Sequence, residues 1–271
     1  NVIYAYKQFA LSINDINDNN IKKEIEKEIE LLSQLKHDNI VEIIGAIGNP
    51  DSKDENNERM GIGMIMEYCD NGSIKSLLDK YKNRNEIMNI DLIIHLLFEA
   101  SKGIEYLHNH IIHGDIKSDN ILIDSNYKSK ICDFGISKLI QTTTMSKNST
   151  SKGIGGTITY KAPEAFKGKR DIKNDIYSFG CVILELLTGN RPWNGFDDVV
   201  IMNKILIDKE SHDLSKIRND CPKQLYDLML KCLDYEMDNR PTMENVRIAL
   251  EKISKNAALV NLNDKSDEYK E

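Results

Sequence analysis

What this chain lacks narrows it first. No apolar run approaches the roughly 20 residues that cross a bilayer, and no signal peptide opens it. Basic residues do not cluster. The 36 Lys and Arg alternate with 43 Asp and Glu for a net charge of −7, which argues against a nucleic-acid surface. Five cysteines (Cys69, Cys132, Cys181, Cys221, Cys232) are odd in number, scattered and without a Cys-x-x-Cys pair, and read as reduced thiols of a cytosolic compartment. What remains is a globular composition, 29% charged and 40% apolar over 271 residues, enough for one two-lobed domain or two small ones.

The informative stretch is Ile112-His113-Gly114-Asp115-Ile116-Lys117-Ser118-Asp119-Asn120, followed by Asp133-Phe134-Gly135. A helical run leads into it, and the short apolar runs 121–123 and 130–132 lie between its acidic clusters. Short strands hold loops rigidly, so Asp115, Lys117, Asn120 and Asp133 are expected to converge. A carboxylate and a lysine two residues apart suit a nucleophile and a phosphate to be neutralised. An amide and a second carboxylate, both hard oxygen donors, suit magnesium.

In this order and spacing the pattern resembles the protein-kinase catalytic loop and its metal-binding Asp-Phe-Gly. The resemblance extends over residues 2 to about 255. It implies an α+β, two-lobed kinase fold. Residues 1–69 would form a partial antiparallel β lobe with one helix and the hinge, 70–255 a larger, mainly helical lobe, and 256–271 a disordered polar tail.

Upstream, residues 2–9 are β-branched and aromatic, a strand by composition. Alone, Lys7 reads as a solvated edge lysine. By resemblance it holds the α- and β-phosphates of ATP, with Ala5 on the adenine face. In the next helix Ile21, Ile25, Ile29, Leu32 and Leu35 form one stripe, with Asp18 or Asn19 as the cap. Glu28 projects from the stripe and needs a cation, for which Lys7 is the natural partner. Glu24, on the margin, is a rival that periodicity leaves open, and the resemblance favours Glu28. Further strands are expected over 41–47 and 62–68. The second resembles the strand entering the hinge, with Met66 as gatekeeper and the backbone of Glu67 and Cys69 bonding the adenine edge, their side chains unconstrained. Ser73 is expected to cap a short helix, and 90–110 to form a long core helix whose His95, His108 and His110 are surface or packing residues.

The resemblance also assigns the chemistry. Asp115 would accept or orient the proton of the attacking hydroxyl, Lys117 neutralise the γ-phosphate, and Asn120 and Asp133 hold Mg2+, with Leu122 closing the adenine sandwich opposite Ala5. His113 would pack under Phe134. Thr157 would bond Asp115 and Lys117. Glu164 would pair with Arg240, and Asp175 would cap its helix and brace the catalytic loop. Cys132 is expected at the nucleotide pocket, as a packing residue. Lys117, together with the wording Asp-Ile-Tyr-Ser-Phe-Gly from Asp175 and Arg191-Pro192-Trp193, is most similar to the tyrosine-kinase-like group, which acts on serine and threonine. The implied partners are ATP and protein substrates, with no nucleic acid and no membrane contact from this segment. The implied location is cytoplasmic, alone or as the cytoplasmic part of a larger, membrane-anchored protein.

Two departures stand out. No Gly-x-Gly-x-x-Gly precedes Lys7. The chain is therefore expected to be a piece of a longer protein, impaired by lack of that loop, or to come from a parent without a phosphate lid; a pseudokinase scaffold is the rival class. Gly114 stands where most kinases carry an arginine that pairs with a phosphate on the activation loop. Activity should then not depend on loop phosphorylation. Alanine at every Ser and Thr over 142–151 is expected to leave phosphoryl transfer largely intact; near-total loss, restored by acidic replacements, would contradict this.

Overall fold

The structure, a computed structural model, describes residues 2–9, 19–47, 63–134 and 157–267, and within them not the side chains of 19–22, 24, 28, 31, 46–47 and 256–267. The first lobe is a three-stranded antiparallel sheet of β1 (Tyr4–Gln8), β2 (Ile43–Ile47) and β3 (Gly63–Glu67), in the order β1-β3-β2, with helix α1 (Asn19–Ser33) packed on β2. Ile25, Ile29 and Leu32 of the α1 stripe are buried while Lys23, Glu26, Lys27 and Glu30 are exposed, the expected amphipathic division. A bulge at Ile44 turns that residue outward. Asp18, proposed as a cap, lies outside the described residues.

The second lobe is helical: α2 (Ile74–Asn83), α3 (Ile90–His108), α4 (Pro163–Phe166), α5 (Ile172–Thr188), α6 (Asp198–Leu206), α7 (Lys223–Cys232) and α8 (Met243–Asp267), with a two-stranded ribbon, β4 (Ile121–Ile123) and β5 (Ser129–Ile131). This is the two-lobed α+β arrangement the sequence implies. Ser73 caps α2 in a reciprocal capping box with Ser76. α5 is buried on nearly every residue from Asp175 to Leu187 and forms the lobe's axis; α7 packs against it, and α3 packs against α8. It stops at Gly189, whose φ of 69° suits a residue without Cβ. Its cap is Asp171, which accepts from the Lys173 N–H; Asp175 lies a turn inside, correcting the capping role expected for it. α8 runs to Asp267, beyond the polar boundary at 256, with no glycine or proline between Met243 and Asp267 to stop it.

One turn supplies several of the bonds between the lobes. Asn39, buried, donates from Nδ2 to Glu99 of α3 (2.7 Å) and to the Ser129 carbonyl of β5 (2.9 Å). Its own carbonyl accepts from Ile131 N–H at 2.9 Å, and the Ile131 carbonyl accepts from Val41 N–H at 2.9 Å. α3 must come very close here, which is why position 103 is glycine: a Cβ would lie 2.3 Å from the Asn39 oxygen and 2.9 Å from Ile131 Cγ1.

On the far side Arg240 is buried and satisfied at all five N–H groups. It bridges Glu164 at 2.7 and 2.9 Å and donates to the carbonyls of Asp234, Lys173 and Tyr235 at 2.8, 3.0 and 3.2 Å.

Gly103→Ala would raise helix propensity by about 1 kcal/mol in an open helix. Here it is expected to destabilise by about 1–3 kcal/mol through overpacking. Urea denaturation checks this, and a variant as stable as the parent would refute the close-approach account.

Candidate active site

α3 delivers the chain into the 109–117 loop, and the loop is fixed from below by one buried carboxylate. Asp175 accepts the His113 N–H (2.9 Å) and His108 Nε2 (3.1 Å) on Oδ2, and the Gly114 N–H (2.7 Å) on Oδ1. Burial alone would push its carboxyl up, but the His108 hydrogen bond and the Gly114 N–H hold it below its ordinary value. A carboxyl lowered in the folded state contributes stability that is full above the ordinary carboxylate range and is lost as pH falls through the folded value. Gly114 has φ 72°, so the position without a side chain is also the one in left-handed backbone.

The His113 ring is buried and bonded at both nitrogens. Nδ1 accepts from Asp115 N–H (3.2 Å), so Nε2 carries the proton donated to the Cys132 carbonyl (2.9 Å). Burial lowers its pKa, keeping it neutral. Its ring meets Phe134 edge-on at 6.4 Å between centroids.

Above this base the predicted residues gather. Lys117 Nζ lies 2.8 Å from Asp115 Oδ2 and 3.0 Å from Thr157 Oγ1, and the Thr157 N–H approaches Asp115 Oδ1 at 3.3 Å. Asn120 donates from Nδ2 to the Asp115 carbonyl (2.8 Å) and Oδ2 (3.1 Å), which leaves its amide oxygen without a partner among the described residues. The Asn120 carbonyl accepts from Cys132 N–H at 3.0 Å, registering the loop against the segment that carries Asp133. Asp133 has φ 63°, a sparsely populated conformation for a residue with a side chain, and pairs with Lys7 of β1 at 2.5 Å. The Glu28 side chain lies outside the described residues, as do Gly135 and the 141–152 loop.

At the cleft edge Ala5 faces Met66 in the β1–β3 register, Met66 is buried, and Ala5 and Leu122 pack on the core partly exposed. The Cys69 carbonyl accepts from Gly72 N–H, and the Cys69 N–H has no partner among the described residues. One expectation needs correcting. The Glu67 side chain is not unconstrained, because its carboxylate takes Lys130 Nζ (2.8 Å) and the Glu42 N–H (2.7 Å), tying hinge strand to ribbon. Cys132 is buried, and burial together with the Asp133 charge pushes its thiol well above the ordinary range.

Several supporting groups were not singled out from sequence. His108 was read as packing, and nothing in its spacing points to a carboxylate 67 residues on. Tyr160 donates to the buried Glu185 at 2.5 Å, and its hydroxyl lies 3.2 Å from Ser118 Oγ. Arg191 Nη2 holds both oxygens of Asp119, at 3.0 and 2.8 Å. In sequence Tyr160 and Glu185 are only a tyrosine and a helix-interior glutamate, and the Arg191-Pro192-Trp193 wording does not point to Asp119.

Comparison with known proteins places this sequence in a family. Residues 1–249 match the protein kinase domain model. The chain is 32% identical over 252 residues to a putative mitogen-activated protein kinase kinase kinase 7-like protein of Drosophila melanogaster, covering 90% of this chain and 59% of that protein. It is 32% identical over 268 residues to the receptor-like protein kinase HAIKU2 of Arabidopsis thaliana, covering 92% and 26%. To the LRR receptor-like serine/threonine-protein kinase FEI 2 of the same plant it is 33% identical over 242 residues, covering 83% and 38%. The chain thus spans between about a quarter and three-fifths of these curated relatives.

Asp175→Asn replaces one acceptor by an NH2 that faces N–H donors whichever way the amide turns. It is expected to destabilise by about 3 kcal/mol and to release the His113 and Gly114 amides to hydrogen exchange. A variant with both amides still protected and unchanged melting would remove Asp175 from this role.

Proposed function

The chain belongs to the protein kinase family, and on that premise we propose that it transfers the γ-phosphoryl group of ATP to serine or threonine hydroxyls of protein substrates in signalling. The observation that carries this reading is the convergence on Asp115 of Lys117, Asn120 and Thr157, with Asp133 held opposite by Lys7 at 2.5 Å.

The residues present fit the nucleotide and metal that the family generally uses. Asn120 turns its N–H groups to Asp115 and keeps an oxygen in reserve, and Asp133 supplies a second hard oxygen donor. Among the described residues no three His, Cys, Asp or Glu side chains cluster to hold a metal, so Mg2+ would depend on phosphate oxygens for the rest of its shell. When bound, it supplies charge neutralisation across the β- and γ-phosphates. Lys7 then holds phosphate oxygens, with Glu28 as its helix partner. Ala5, Met66 and Leu122 line the adenine face, and the backbone of Glu67 and Cys69 bonds its edge. Asp115 orients the attacking hydroxyl and takes its proton, and Lys117 meets charge developing on the γ-phosphate; such prepositioned charge supplies most of phosphoryl-transfer catalysis. Lys117 and the motif wording favour serine and threonine over tyrosine. Domain limits at 69/70 and 255/256 belong to the same reading. No helix among the described residues is long and apolar enough to cross a membrane, and we place this domain on the cytoplasmic side, alone or within a larger anchored protein. A scaffold without phosphoryl transfer is the competing class.

ATP binding with and without magnesium, on this chain and on one extended N-terminally, tests the reading. Magnesium-dependent binding is expected, weakened at least tenfold by Lys7→Met and by Asp133→Asn, and transfer to serine peptides should fall by about 100-fold or more in Asp115→Asn. Binding without magnesium dependence, or none by either chain, would favour the scaffold.

A further inference from the structure

Beside the catalytic loop, a cavity of about 220 Å³ joins the residues around Asp115 to the turn that follows α4. Asp115 and Thr157 line it from the reacting side, and Lys169 and Arg170 from the turn. Gly114 and Gly168 also form part of the wall and carry no side chain to fill it. The space therefore connects the carboxylate that would meet an attacking hydroxyl with two cationic side chains.

The charge here differs from that of the whole chain. Acidic residues outnumber basic ones overall, yet residues 161–170 hold four basic side chains and one acidic. That acid, Glu164, is bonded to buried Arg240. Asp171 accepts the Lys173 N–H, Asp175 takes two loop amides and His108, Asp115 meets Lys117, and Asp119 is held by Arg191. Lys161 lies over the Phe166 ring. Lys167, Lys169 and Arg170 are exposed, and none forms an ion pair among the described residues. Each of these carboxylates is thus matched to a group other than these three cations.

The turn that carries the cations is fixed by its own backbone. The Lys167 and Lys169 N–H groups donate to the Glu164 carbonyl at 3.1 and 3.2 Å, and the Lys169 carbonyl accepts from Asn174 Nδ2 at 2.9 Å. Gly168, with φ 81°, supplies the left-handed step between them. A backbone already in place need not be ordered on binding, which lowers the cost of recognition.

We propose that this turn determines substrate specificity at the phosphoryl-transfer site, selecting proteins that carry glutamate or aspartate close to the accepted hydroxyl and seating a carboxylate on Lys169 and Arg170, with Lys167 adding to the attraction. The identity of the occupant rests on the kinase reading, since a hydroxyl delivered to Asp115 brings its flanking residues along the same wall. An extended chain advances about 3.3 Å per residue, so side chains roughly two to four positions away reach across a cavity of this size. Exposed ion pairs are individually weak, so the selection is several-fold in kind.

Peptide selection tests this. The probes are Ala-Glu-Glu-Ala-Ser-Ala-Glu-Glu-Ala and its counterparts with glutamine or arginine in place of glutamate. By fluorescence anisotropy without ATP, the glutamyl peptide is expected to bind about fivefold or more tightly than the glutaminyl one. The arginyl peptide should bind most weakly, and the differences should shrink in high salt. The same order is expected in kcat/KM for phosphoryl transfer. Lys169→Glu combined with Arg170→Glu should invert the order in favour of the arginyl peptide, a change that loss of folding cannot mimic. Equal binding of the three peptides, equal transfer to them, or an unchanged order in the charge-reversed variant would each overturn the proposal. Ordered binding that inverts in the variant, with no transfer to any peptide, would support the acidic selection and count against the kinase reading alone.

Discussion

The candidate site depends on a carboxylate that never faces it. Asp175 sits on the buried face of α5 and takes two successive backbone N–H groups of the loop together with the ring of His108. Two adjacent amides on one carboxylate fix both position and direction of the chain, which a single bond would not. From that base His113 reaches the Cys132 carbonyl and Asn120 reaches the Asp115 backbone, so Asp115 and Asp133 are held from the same foundation. The charge that organises the loop is thus kept out of water and committed to two backbone amides and the His108 ring.

The small lobe reaches this foundation by a second route. The Asn39 turn bonds α3 and β5 at once, and β5 leads within two residues to Asp133. Lys7 then closes the circuit from β1. The geometry between lobes is carried by a few buried polar bonds and one close glycine contact at Gly103, more than by the broad sheet faces.

Much of this was legible in the sequence because its signals are local. β-Branched and apolar runs point to the strands, the Ile25-Ile29-Leu32 stripe to α1 and Ser73 to a cap, and the spacing from Asp115 to Asn120 and Asp133 to three polar side chains in one place. The misreadings share a cause. Asp175 was placed at the helix start because an aspartate before an apolar run commonly caps it, whereas Asp171 does so here. The Glu67 side chain reads as unconstrained because its expected contact is made by backbone, and His108 as a surface or packing residue because its partner belongs to another helix. Pairings fixed only by tertiary packing leave no periodic trace.

The thiols near the hinge have a consequence for chemical reactivity. Cys69 and Cys132 are both buried, and burial pushes Cys69 up to about 12 and Cys132 well above its ordinary value. The thiolate is the species that attacks electrophiles and is captured by oxidants. With both sulfurs buried and held as S–H, peroxide and alkylating agents find little thiolate to react with here. A covalent ligand aimed at this hinge would have to bring its own base.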